Sequence, residues 1–169
     1  IMDGPPALTL GLEPIRDDLM TRKPTARGES IVSKEMLLRI GVNGAFMCVI
    51  CLAQMGFDFL GMGAEKVSTS VFTLFVLFQL FNAFNCRELG DKSVFHNFFK
   101  NRLMLAAFVI AFALQVLITQ FGGQVFDTFA LNALDWLKLI GLALSVIALD
   151  ELVKVFRRAA KGKKMRASA

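Results

Sequence analysis

The sequence is short of the residues from which soluble catalytic and metal sites are built. Its 169 residues include one histidine, His96, and three cysteines, Cys48, Cys51 and Cys86. Three cysteines are too few for a disulfide scaffold. Cys48-x-x-Cys51 has the spacing of a redox or zinc motif, but it sits inside an apolar stretch with no histidine near it. Both read as small helix-packing residues. His96 lies in a polar segment with no cysteine or carboxylate at ligand spacing, and reads as a surface histidine. No signal-peptide pattern opens the chain. It starts at Ile1, which reads as the start of a fragment. The most informative scarcity is of charge within four long stretches, where a soluble core would not need such length.

Those stretches decide the class. The chain is 55% hydrophobic, with mean hydropathy +0.57, against about 45–50% apolar for a soluble domain. The excess is concentrated at 40–60, 67–84, 103–121 and 136–156. Each approaches the ~20 residues that a helix needs to cross a bilayer. The expected fold is all-α and polytopic, with four transmembrane helices at 37–60, 67–86, 103–121 and 135–156. Residues 12–36 and 87–102 are polar connectors, and 157–169 form a basic tail. Ser33 is placed to cap the helical run that begins at Lys34. Arg27-Gly28-Glu29-Ser30 looks like a catalytic-loop motif but lacks the surroundings such a loop needs.

The basic residues are placed one-sidedly. Lys and Arg number six in 12–39, four in 87–102 and seven in 154–166, leaving Lys66 and Lys138 of the nineteen. With four alternating spans, seventeen basic residues fall on one side, which the positive-inside rule makes cytosolic. The formal net charge of +5 is then a matter of orientation and anionic headgroups, and no nucleic-acid partner is implied. Trp136 stands where an interfacial anchor is expected.

Polar groups inside the runs are few. Gly41 and Gly44 would let another helix pack closely on the first run, whose interior also holds Asn43 and Gln54. Phe72, Phe75, Phe78, Phe81 and Phe84 recur every three residues in the second, as a slowly winding packing or lipid-facing stripe. Gln79 and Asn82, followed by Asn85 and Cys86, give that helix a polar face. Such groups face protein or water rather than lipid. Two readings stay open: hydrogen bonds to neighbouring helices, or the lining of an ion path. In the fourth run, Asp150 and Lys154 are spaced i,i+4 and read as a structural ion pair.

The opening residues have their own chemistry. Asp3 directly precedes Gly4-Pro5-Pro6. Proline removes a backbone donor and blocks the preceding turn, so a helix here breaks or kinks and leaves carbonyls beside the acid. The alternation of spans puts 12–36 in the cytosol. Residues 1–11 then approach the cytosol from within the membrane, as the second half of a broken helix, and Asp3 is an intramembrane acid able to hold a cation.

Four places resemble the C-terminal membrane region of P-type calcium pumps. Met2-Asp3-Gly4-Pro5-Pro6-Ala7 and the run on to Pro14 resemble the end of the sixth transmembrane helix. Met20-Thr21-Arg22-Lys23-Pro24 resembles the following cytosolic loop. Gln79-Leu80-Phe81-Asn82-Ala83-Phe84-Asn85-Cys86-Arg87 resembles the eighth helix. Ala133-Leu134-Asp135-Trp136 and Asp150-Glu151-Leu152-Val153-Lys154 resemble the two ends of the tenth. The resemblance implies that the four runs are helices seven to ten. It implies that Asp3 is a calcium ligand and that Gln79 lies near the ion path. Where the two-site pumps of the family carry a threonine and a glutamate ligand, this chain has Met2 and Gln79, which implies a single-site, plasma-membrane-like pump. Calcium takes about six to eight oxygens, so Asp3 alone would hold it weakly.

By the same resemblance the transported ion is Ca²⁺, while Mg²⁺ and ATP belong to cytosolic domains outside these residues. The phosphorylated Asp-Lys-Thr-Gly-Thr and the Thr-Gly-Glu-Ser loop are not in this sequence, so the chain alone should not hydrolyse ATP. Its implied partners are the lipid bilayer and the rest of the pump, helices one to six and the cytosolic domains. The implied location is the plasma membrane, or the inner membrane of a bacterium, since no long regulatory extension follows the last span. Two other readings account for the spans: a non-enzymatic four-span scaffold or carrier subunit, and a pump of the same family for another cation.

Overall fold

The computed structural model describes residues 4–12, 34–87 and 101–167, with side chains excepted at 34–35 and 157–167. Asp3, Ser33, His96 and the motifs between 14 and 30 lie outside the described residues. Within them the chain is all-helical. The elements are α1 (Gly4–Gly11), α2 (Lys34–Phe57), α3 (Val67–Arg87), α4 (Arg102–Phe121), α5 (Gly123–Phe126) and α6 (Ala133–Ala167). Met36–Phe57, Val67–Arg87 and Arg102–Phe121 are each long and apolar enough to cross a membrane. In α6, residues 139–149 are uncharged, but Asp135 and Lys138 precede them and Asp150, Glu151 and Lys154 follow.

The helices begin and end for local reasons. In α1, Pro5 and Pro6 occupy the first turn, where no intrahelical N–H is required. The sequence run read through residue 60 is helical only to Phe57. Asp58 takes a left-handed conformation, φ 41°, and stops it. The turn that follows uses Gly61 and Gly63 at φ 64° and 85°, a region glycine enters without steric cost. Asn101 starts α4 by accepting a hydrogen bond from the Met104 N–H at 2.9 Å. Gly122 ends it, and its own N–H bonds the Ile118 carbonyl. α6 continues without a break from Ala133 to Ala167, about 52 Å at the usual rise.

α3 is the centre of the bundle and packs against α1, α2, α4 and α6. Its Leu74, Leu77 and Phe78 meet Leu139, Ala143 and Val146 of α6 and Met47 of α2. Toward α4, Val76 and Leu80 meet Ala111. Near α1, Phe84 and Met104 form a third cluster that takes in Leu10. The three-residue phenylalanine period winds around α3, because a helix turns every 3.6 residues. Phe72 and Phe75 are therefore exposed, while Phe78 and Phe84 are buried. Trp136 packs edge-on against Phe112, tying the start of α6 to α4.

Polar side chains stitch the ends together. Gln54 donates to the Asp58 carboxylate and to Ser70 Oγ, and its carbonyl accepts from the Leu60 N–H. Gln120 both donates to and accepts from the backbone of Leu131. Asn101 Nδ2 donates to the Thr9 carbonyl at 3.1 Å, joining the end of α1 to the start of α4.

Candidate functional site

One end of the α2–α3–α6 interface is built from polar residues rather than from the leucines and phenylalanines that fill the rest. It borders a half-open cavity of about 380 Å³. Helical spacing explains the lining. Met36, Arg39, Asn43 and Met47 lie on one stripe of α2, while Gln79, Asn82 and Cys86 lie on one stripe of α3. Asp150 closes the cavity from α6.

The amides form a chain across the three helices. Asn43 Nδ2 donates to Asn82 Oδ1 at 3.3 Å, and Asn85 Nδ2 reaches the same oxygen at 3.4 Å. Asn85 Nδ2 also donates to the Val146 carbonyl of α6 at 3.2 Å. Asn85 Oδ1 is buried and has no hydrogen-bond partner among the described residues. Gln79 is half-buried and lines the same cavity.

A cluster of buried charges lies beside the amides. Lys154 Nζ is 2.9 Å from Asp150 Oδ2 and 3.3 Å from Glu151 Oε1. Arg39 Nε lies 4.0 Å from Asp150 Oδ1, linking α2 to α6. Lys154 is fully buried and Asp150 is 2% exposed. Charges removed from water this far persist only when paired. Two cations face two carboxylates here. The i,i+4 pair expected from the sequence is present, and Arg39 joins it from another helix. Sequence reading counts Arg39 with the cytosolic charges. Its place on the Met36–Asn43–Met47 stripe was the available signal.

The residues singled out in the sequence are therefore divided. Gln79 is gathered with Asn43, Asn82, Asn85 and Asp150. Leu10 of α1 packs instead in the Phe84–Met104 cluster with Phe81 and Phe108, while Asp3 lies outside the described residues. Nothing described lies within 4 Å of where a side chain on Gly41 or Gly44 would begin. The close packing expected on these glycines is not supplied by any described helix. Among the described residues, no three His, Cys, Asp or Glu side chains form a metal-binding group. Chemically the cavity wall is mostly apolar, with Met36, Ile40 and Met47 beside the amides and the Asp150 carboxylate, and the buried Asn85 oxygen is unpartnered among the described residues.

At the opposite end, Asp58 organises the α2–α3 turn. Its carboxylate accepts from the N–H groups of Met62 at 2.9 Å and Gly63 at 2.8 Å. These bonds hold its pKa below the ordinary carboxylate value of 3.8. The two basic residues of this end are also engaged. Lys66 pairs with Asp135 at 3.4 Å, and Lys138 donates to the Leu60 carbonyl at 2.7 Å.

Residues 1–156 match the family model described as "Cation transporting ATPase, C-terminus". Over 163 residues the chain is 36% identical to a calcium-transporting ATPase type 2C member 2 of Mus musculus, covering 94% of this chain and 17% of that protein. It is 34% identical over 151 residues to a plasma membrane-type calcium-transporting ATPase 8 of Arabidopsis thaliana, covering 84% of this chain and 14% of that protein. Against a calcium-transporting ATPase 1 of Yarrowia lipolytica it is 34% identical over 161 residues, covering 92% of this chain and 17% of that protein. The chain thus spans about a sixth of the length of such relatives.

Proposed function

Because this chain belongs to the cation-transporting ATPase C-terminal family, we propose that it is the last part of the membrane domain of an ATP-driven calcium pump. The observation that carries this reading is the match along 1–156, together with relatives named as calcium-transporting ATPases. In this reading residues 1–11 end the sixth transmembrane helix, and α2, α3, α4 and α6 are the seventh to tenth. α6 crosses as a fourth span despite its charges. The reading draws support from the pairing of Asp150, Glu151, Lys154 and Arg39, which lowers the cost of carrying them at membrane depth.

Asp3 supplies a carboxylate to the transported Ca²⁺, next to carbonyls freed by Gly4-Pro5-Pro6, and Gln79 lies near the ion path. Met2 offers no oxygen and Gln79 no charge, which favours a single site. The remaining ligands come from the rest of the pump. The open face at Gly41 and Gly44 and the amide-lined cavity are suitable places for its further helices to dock. Mg²⁺ and ATP act in cytosolic domains outside this chain. Hydrolysis there alternates access to the site, while α2, α3, α4 and α6 support it. The protein resides in a plasma membrane, such as a bacterial inner membrane, with residues 12–36, 87–102 and 157–169 in the cytosol.

The test is Asp3→Asn in the full-length protein. Calcium-dependent phosphorylation from ATP should disappear. Phosphorylation with unchanged calcium affinity would remove Asp3 from the site. ATPase rates with Ca²⁺, Na⁺ or protons varied separately identify the ion, and stimulation by Na⁺ alone would refute calcium.

A further inference from the structure

We propose that Asn101 is a positioning residue for the cation site: its side-chain amide seats the end of α1 on α4 and so fixes where the helix that begins beside Asp3 lies. This role rests on the calcium-pump reading and on Asp3 as a ligand, both given under Proposed function. The seat uses both halves of one amide. Asn101 Oδ1 accepts from the Met104 N–H at 2.9 Å, which caps α4, and Asn101 Nδ2 donates to the Thr9 carbonyl at 3.1 Å. Because the cap holds the oxygen toward α4, the nitrogen is turned toward α1. Asn101 and Thr9 are both buried, so water does not readily replace this bond.

α1 depends on such a contact. It has eight residues, fewer than the ~12–15 below which a helix is marginal on its own. Its Leu8 and Leu12 are exposed, and its buried residues are Pro6 and Thr9. Leu10 adds a contact with the Phe84–Met104 cluster. The Thr9 carbonyl lies in the last turn, where helix carbonyls lack their usual donors, and it receives the Leu12 N–H only at 3.3 Å. Thr9 Oγ1 donates to the Pro6 carbonyl at 2.8 Å, which stiffens the turn between the prolines and the seat. From Thr9 back to Gly4 the helix rises only about 8 Å, and Gly4 is bonded to Asp3. A shift of α1 at Thr9 is therefore passed along a short, stiff helix to the backbone of the acid. Calcium takes about six to eight oxygens at about 2.3–2.6 Å, so displacing one ligand lowers its affinity.

The experiment follows phosphorylation from ATP in the full-length protein as calcium is varied. Asn101→Asp keeps an oxygen for the Met104 N–H, and a carboxylate suits a helix start, but it lacks the N–H that the Thr9 carbonyl needs. The calcium required for half-maximal phosphorylation should rise about two- to tenfold, the range of one neutral hydrogen bond. Phosphorylation at saturating calcium should still reach the level of the unaltered protein. The added negative charge would by itself draw calcium in and lower the half-saturating concentration, so a rise is not an effect of charge. An unchanged half-saturating concentration, or a lower maximum without a rise, would overturn the proposal. Leu10→Ala loosens the same seat and leaves the cap intact, and it decides by the same criterion if Asn101→Asp does not fold. If phosphorylation of the unaltered protein does not respond to calcium, both readings fail. A calcium response that Asn101→Asp leaves unmoved overturns only this one.

Discussion

Asp150 is the residue on which the buried charges balance. It is 2% exposed, with Lys154 at 2.9 Å and Arg39 at 4.0 Å. Asp150→Asn would remove the carboxylate that Lys154 and Arg39 share in the buried cluster. Breaking a buried pair from one side costs about 3–5 kcal/mol. Lys154→Met should cost less, because Asp150 keeps Arg39 and Glu151 is exposed enough to rehydrate. Unfolding of the two variants in detergent should follow that order, and the reverse order would mean that Arg39 does not compensate Asp150. Asp58 gives a second prediction. Its folded-state pKa is depressed by the Met62 and Gly63 N–H bonds. The stability it contributes is therefore present above the unfolded value, near 3.8, and is lost as pH falls through the lower folded value. The Met62 and Gly63 amide resonances should keep hydrogen-bonded shifts at about pH 4 and change only below it. In Asp58→Ala those shifts should be absent at every pH.

At the scale of elements, the joints between helices are made by single amides. Asn101 caps α4 and holds the Thr9 carbonyl of α1. Asn101→Ala should cost about 1 kcal/mol for the cap and also loosen α1. The second effect is separable, since α1 would become a faster protease target while α4 stays protected. Equal protection of α1 in both proteins would show that the packing of α1 on α3 and α4 retains it without the Asn101 bond. Only part of this was legible in the sequence. Apolar runs with few charges gave the helices, and i,i+4 spacing gave the Asp150–Lys154 pair. Asn101 reads as one more polar residue of the 87–102 connector, because a cap depends on backbone angles that composition does not carry. The end of α2 at Phe57 is hidden for a similar reason, as Phe59 and Leu60 prolong the apolar run while Asp58 turns the chain. The continuation of α6 past residue 156 is masked by its charge, although lysine and arginine are good helix formers.

For the molecule as a whole, the decisive quantity is the number of crossings. Three helices meet the requirements of length and apolarity, and α6 is the fourth candidate. If α6 did not cross, the seven Lys and Arg of 154–166 would share a side with the 122–132 connector. That arrangement would set them against the positive-inside rule. It would also put Lys66 and Lys138 on the same side as the tail, yet these two are bound locally, to Asp135 and to the Leu60 carbonyl. Both residues fasten the α2–α3 turn to the start of α6. Polar closure of both ends of α6 is what a crossing helix requires: Asp135 and Lys138 engaged at one end, Asp150 and Lys154 paired at the other, and Leu139, Ala143 and Val146 buried against α3 between them. Topology reporters inserted after Gly63 and after Thr128 should therefore read outside, and reporters after Phe95 and after Ala167 inside. A tail reporter that reads outside, with the other three unchanged, would reduce the crossings of this region to three and leave the buried Asp150–Lys154 pair without its membrane rationale.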